Sequence, residues 1–323
     1  MNKYLRSILI ASITLIIIVV INFFLPRMLP GDPVYHLTGI TEDFISQDLY
    51  NFYYEKLGLN LPMHEQLGLY LKSLFDGTLG YSYIHEETVS SLIFSRIGNT
   101  LKIIVPAILI VSILAIIFGL RNAFKEEGDQ KTIFSYVTIL FNTVPSFLIG
   151  MVLLILFSFV LKRFPDNGLS SPNVSEGNVF FDQLWHLFLP ITSMVLAMFP
   201  SKYLLVKENS KKILKEKYVL FARTSGLNNR QIAYHYLLKN SFHTVFTSIA
   251  MSLAFGIGGS VVIENVFSIN GMGLLFSGAL NKQDFPLLQG MLFFVSLISV
   301  STLIISDLLI LIIDPKARRK KNV

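Results

Sequence analysis

The sequence predicts an all-α polytopic membrane protein with six transmembrane helices. Three observations carry that prediction. Hydrophobic residues make up 52% of the 323 and charged residues only 15%, with a mean hydropathy of +0.58, whereas soluble domains run at about 25% charged. The apolar residues gather into six stretches, roughly 5–26, 99–120, 133–161, 183–205, 241–264 and 287–313. Each is long enough for the ~20 residues that cross a bilayer. The connectors between them are segregated by charge sign.

The first stretch, within 1–26, follows Lys3 and Arg6. A secretory leader would share that start, but the apolar run Ile8–Leu25 is longer than a leader's and no small-x-small cleavage site follows. It reads as an uncleaved first span. The connector 27–98 carries Asp32, Glu42, Asp43, Asp48, Glu55, Glu65, Asp76, Glu86 and Glu87 against four basic residues, which places it outside the cell. Apolar spacing over 42–57 (Phe44, Leu49, Phe52, Tyr53, Leu57) and 63–75 (Leu67, Tyr70, Leu71, Leu74) predicts a small helical subdomain there. Residues 99–315 form the transmembrane core, whose third stretch is interrupted at Pro145.

From the end of the fourth stretch onward come Lys202, Lys207, Lys211, Lys212, Lys215, Lys217, Arg223, Arg230 and Lys239, and the tail 316–323 holds Lys316, Arg318, Arg319, Lys320 and Lys321. Both belong in the cytoplasm by the positive-inside rule, so both termini are predicted inside. The charges of the short 121–132 turn balance. The net charge of +6 therefore marks membrane flanks and not a nucleic-acid partner. The absence of Cys excludes disulfides, thiolate metal sites and Cys nucleophiles. His36, His64 and His85 are scattered along the outer connector and predict no metal site.

The cytoplasmic segment 218–240 is the most informative. A short helix over 218–225 should end at Gly226, because glycine takes the left-handed conformation of a helix C′ position without a Cβ penalty. Asn228 then caps a second helix, with Gln231 three residues on in capping-box spacing. The product is a basic, amphipathic helix-turn-helix elbow at the membrane surface. Its bland alternative is an interfacial helix on anionic lipid; the flanking spans argue against a DNA-reading module.

Tyr218-Val219, Ala222-Arg223, Gly226-Leu227, Arg230 and Lys239-Asn240 resemble the EAA loop of ABC importer permeases in its oligopeptide-type form, with Leu220, Tyr236 and Thr244 departing from that pattern. The resemblance covers nearly the whole chain: Pro30-Gly31-Asp32-Pro33 after the first span, Gly77-Thr78-Leu79-Gly80, Asn99-Thr100-Leu101, Pro145-Ser146-Phe147, the Glu264–Gly273 loop, and Asp284-Phe285-Pro286. The sequence is thus similar to permease subunits of the oligopeptide/dipeptide/nickel family. That resemblance implies the type I (MetI-like) importer permease fold in the bacterial cytoplasmic membrane. It also implies a second homologous permease, two ABC ATPase subunits and an extracytoplasmic solute-binding protein as partners. Tyr218, Ala222, Arg223, Gly226, Leu227 and Arg230 would couple to the ATPase. No cofactor is expected on this chain, since ATP belongs to the partners: there is no G-x-x-x-x-G-K-[ST], and His64-Glu65 opens no H-E-x-x-H. Peptides are the default cargo, with nickel or metal chelates as the alternative.

Within the membrane, Thr244, Ser248, Ser252, Gly256 and Ser260 recur at i+4 and form one small-polar helix face. Such a face either lines a translocation path or packs tightly against another helix. Asp307, inside the last stretch, needs a partner or water and is read as an anchor. Glu264 ends the fifth span as a gate contact or a solvated charge. Asp32, Pro145 and Gly271 complete the expected structural positions. A secondary transporter would need a coupling-ion site and paired broken helices, and a membrane enzyme would need a clustered acid/base or metal set; the sequence offers neither.

Overall fold

The computed structural model describes residues 3–126, 132–172 and 174–313, and these fall into two compact units. Met1–Thr100 with Asn270–Ser301 make the first, and Leu101–Ile269 with Thr302–Val323 the second. Among the described residues, five helices are long and apolar enough to cross a membrane, and a sixth candidate is a broken pair.

In the first unit, α1 (Lys3–Phe24) runs into a 3-10 turn, Leu25–Met28. Its large apolar side chains stay exposed, Ile16 by 65%, which suits a helix solvated by lipid. Asp32 starts α2 (Pro33–Thr38): its carboxylate accepts from the Val34 amide at 2.7 Å while Pro33 fills the first helical position. The other Asp32 oxygen accepts from the Tyr50 hydroxyl at 2.7 Å, tying α2 to α3 (Gln47–Lys56). Next comes α4 (Met63–Phe75), whose Tyr70 ring stacks on Phe23 and whose Gln66 accepts from Arg27 at 2.8 Å. α3 and α4 lie within the two stretches whose apolar spacing predicts helix, α3 being shorter than the predicted 42–57. Two short antiparallel strands, β1 (Tyr81–Ser82) and β2 (Glu87–Thr88), lead into α5 (Val89–Lys125).

The first unit also contains α12 (Met272–Asn281) and the start of α13 (Phe285–Ile313). Asp284 caps α13 through the Leu287 amide at 3.2 Å and accepts from Ser82 Oγ at 2.5 Å. Burial raises the Asp284 carboxyl above its ordinary range against these hydrogen bonds. Gly271 stands at the N-cap of α12, where the Met272 amide donates to Thr100 Oγ1 at 2.8 Å and Asn99 reaches the Asn270 carbonyl at 2.9 Å. The Asp307 side chain, the Asp314-Pro315 end of the last span and the tail 316–323 lie outside the described residues.

The second unit is a helical core. α6 (Ile133–Phe141) and α7 (Ser146–Leu153), the latter continued by a π-helical stretch Leu154–Val160, meet at a bend of 98°. The cause is local. Pro145 has no amide hydrogen and pushes Val144 out of helical backbone, so the predicted interruption becomes a sharp corner. α8 (Val179–Leu214) is 36 residues long and continues past the expected span end into the lysine-rich segment. α9 (Lys217–Thr224), α10 (Asn229–Ile232) and a π-helical stretch Ala233–Leu238 follow, then α11 (Lys239–Val266). α7, α8 and α11 pack on one another.

Two lysines of the basic segment turn inward. Lys207 is fully buried and Lys202 is half-buried. The 121–132 turn is likewise more than a charge-neutral connector, because Glu126 is buried and meets Lys207.

Candidate functional site

The elbow forms from its own sequence. At the end of α9 the Leu227 amide donates to the Ala222 carbonyl at 3.2 Å and the Gly226 amide to the Arg223 carbonyl at 2.9 Å, a complete Schellman motif. Gly226 has φ +87°, the backbone that its lack of a Cβ permits. Directly after it, Asn228 Oδ1 accepts from the Gln231 amide and Gln231 Oε1 from the Asn228 amide, both at 2.9 Å. This reciprocal capping box fixes the start of α10.

Tertiary packing then seats the elbow. Val219, Ile232 and Leu237 share a core with Ala123 of α5 and with Ile213 and Leu214 of α8, and Leu227 and Tyr236 pack at its edge. Of the predicted coupling residues, Ala222 is buried within the chain at 2% exposure, not presented outward. Arg223 is half-buried with its guanidinium 6.0 Å from the Phe124 ring centre. Tyr218 stacks on Tyr236, Leu227 is half-buried, and Gly226 and Arg230 are exposed. The outward face instead shows Leu220 and Phe221, the latter 73% exposed. Sequence reading noted Leu220 only as a departure from the loop pattern and passed over Phe221, although a helical wheel that sends Val219 and Ala222 inward would have pointed to both.

Behind the elbow is a sealed polar cluster. Lys207 Nζ lies 2.8 Å from Glu126 Oε2 and 3.1 Å from Ser135 Oγ, and Glu126 Oε1 accepts from the Thr132 amide at 2.8 Å. Ser135 and the Tyr203 hydroxyl are 2.6 Å apart, and Asn122 reaches Tyr203 at 2.9 Å. Burial alone would raise the Glu126 carboxyl, but hydrogen bonds from Lys207, Ser135 and Thr132 prevail and bring it to about 2. The cluster joins the end of α5, the start of α6 and α8.

On α11, Ser248, Ser252, Gly256 and Ser260 are buried and Thr244 is half-buried. The face packs against the second unit itself: a Cβ on Gly256 would stand 2.9 Å from Ile104 Cγ2, and Ser248 receives the ammonium of Lys202. Beside this stripe a concavity of about 430 Å³ opens between α8 and α11, with Ser252 and Gly256 on its wall. Glu264 is fully buried and accepts from Ser260 Oγ at 2.8 Å, so it is not the solvated charge that one expectation allowed. Pro145 caps α7 at the corner described above. Among the described residues no three His, Asp or Glu side chains converge as a metal would require.

Residues 112–319 match the family described as binding-protein-dependent transport system inner membrane component. The chain belongs to this family. It is 28% identical to the oligopeptide transport system permease protein AppB of Bacillus subtilis, over 93% of each chain. It is 27% identical to the dipeptide transport system permease protein DppB of Lactococcus lactis, over 98% of this chain and 100% of that one. A third relative is the nickel import system permease protein NikB of Staphylococcus aureus, 28% identical over 95% of this chain and 88% of that one. The molecule is thus a multi-pass inner membrane component of an ABC importer of the peptide/nickel type, with ATP hydrolysis assigned to a separate subunit.

Proposed function

We propose that this permease imports peptides and is driven through its elbow by ATPase subunits. In this reading it pairs with a second, similar permease, takes cargo from an extracytoplasmic binding protein and has both termini in the cytoplasm. The observation that carries it is the elbow: two consecutive backbone motifs hold Leu220 and Phe221 outward on a packed base. An exposed apolar knob on a rigid support is what a groove in a soluble ATPase would grip, and the buried Glu126–Lys207 cluster would carry its displacement into α5, α6 and α8. Such coupling needs the knob to bind differently in two ATPase states, since equal binding shifts no equilibrium. Two of the three relatives above are named for peptides, which supports that cargo, and the Staphylococcus aureus protein keeps nickel as the second reading.

The test is uptake by the complex reconstituted with candidate ATPase and binding-protein subunits. ATP-dependent accumulation of short peptides, with nickel chelates left outside, is the expected result. Accumulation that ignores ATP, or that favours nickel chelates, would sink the proposal.

A further inference from the structure

The concavity between α8 and α11 has one charged residue in its lining, Lys202. Its ammonium donates to the Ser248 carbonyl at 3.0 Å and to Ser248 Oγ at 2.7 Å. Both acceptors are neutral, and among the described residues no carboxylate lies within ion-pair distance. An ammonium has three N–H donors, so this one is anchored by two and retains a third. A half-buried cation on α8 without a counter-charge is costly and calls for an anion. The rest of the wall is adaptable. Met194, Met198 and Met251 contribute flexible thioethers and Phe255 an apolar ring, a lining that accepts side chains of varied shape. It holds no His, Asp or Glu, so a bare divalent cation would meet like charge and none of its preferred ligands.

We propose that Lys202 is a specificity-determining residue that holds the free carboxylate of an organic solute crossing this concavity, most simply the C-terminus of an unblocked peptide. This rests on the importer reading above. A carboxylate-bearing metal chelate offers the same chemistry, so the probes must separate the two.

The experiment uses the reconstituted complex with Lys202→Gln and Lys202→Arg. The probes are tri-alanine, tri-alanine amide, nickel citrate and nickel chloride, with binding-protein affinity for each measured alongside. For Lys202→Gln, tri-alanine uptake should fall about tenfold, the scale of one lost charge-assisted hydrogen bond. Lys202→Arg should stay near wild type, and the amide should not respond to either change. A fall confined to nickel citrate keeps the carboxylate site and assigns it to a chelate. Wild-type rates for every probe in Lys202→Gln, or an equal fall for the amide, overturn the site while leaving the importer reading in place. No ATP-dependent uptake by the wild-type complex removes the importer reading and this proposal with it. A second measurement is independent of uptake. With Met251→Cys in this cysteine-free chain, an anionic thiosulfonate should react faster than a cationic one, and Lys202→Gln should erase the difference. Equal rates with Lys202 present would also overturn the proposal.

Discussion

The Nζ of Lys207 sits 2.8 Å from Oε2 of Glu126, with both side chains sealed from solvent. Charges in such a place are tolerated only when paired and hydrogen-bonded, and here Ser135 and Thr132 complete the shell. The pair joins residues 81 apart in sequence, α8 to the end of α5, one helical turn beyond the Ala123 that supports the elbow. It is therefore placed to keep the elbow and the membrane helices in one register.

Removing one member should strand the other. Glu126→Gln or Lys207→Met alone should each destabilise the chain by about 3–5 kcal/mol, and the double replacement should recover most of it. Thermal unfolding in detergent measures the cycle, and simple additivity would show that the two charges do not interact. The pH dependence has a definite sign. Glu126 titrates at about 2 when folded and at about 4.3 when unfolded. Its contribution is thus fully present above the unfolded value and is lost as pH falls through that window. The gap between wild type and Glu126→Gln should narrow on acidification from pH 5.

Burial separates two neighbouring residues of α9. Phe221→Asp alters an exposed side chain, so membrane levels and unfolding temperature should hold while ATPase co-purification falls at least tenfold. Ala222→Glu instead forces a carboxylate into space that the chain itself fills, so it should lower the yield of folded protein first. If Ala222→Glu folds normally and loses only the ATPase, the buried side of α9 has been assigned to the wrong partner.

Topology can be read with single cysteines, since the chain has none of its own. Glu65→Cys, exposed on α4, should react with a membrane-impermeant maleimide in intact cells. Lys212→Cys, exposed near the end of α8, should react only after permeabilisation. Labelling at position 212 in sealed cells would invert the proposed orientation.

The features legible in the sequence were the local ones. Gly226, Asn228 and Gln231 specify their turn and cap within six residues, and Asp32-Pro33 does the same for α2. Pro145 announced a break at that point, though not the size of its 98° angle. The Ser82–Asp284 bond spans 202 residues and left no periodic trace. The burial of Lys202 and Lys207 was not legible for a related reason: nothing in the spacing of a lysine-rich segment reveals which two ammonium groups find acceptors on α11 and at Glu126. The small-polar stripe of α11 was legible as a stripe. Which neighbour it packs against was decided by Ile104, far away in the chain.

The elbow's turn offers the most discriminating substitution. A Cβ built on Gly226 meets no atom within 4 Å, so any penalty there comes from the backbone alone, at φ +87°. A β-branched residue in left-handed backbone costs about 1–2 kcal/mol, whereas Asn tolerates it far better. That strain is confined to an exposed turn and is small beside the packing of the membrane helices. Gly226→Val should therefore reach the membrane at normal levels and unfold within a few degrees of wild type. What it cannot keep is the angle between α9 and α10, because relaxing φ breaks the Leu227–Ala222 and Gly226–Arg223 bonds that set it. The exposed Leu220 and Phe221 would then be misdirected, so ATPase co-purification and peptide uptake should both fall about tenfold or more, while Gly226→Asn should retain most of each. The pair of variants controls for size, since both add a side chain of similar volume and differ in their tolerance of left-handed backbone. Full transport by Gly226→Val would show that the turn geometry does not transmit ATPase motion.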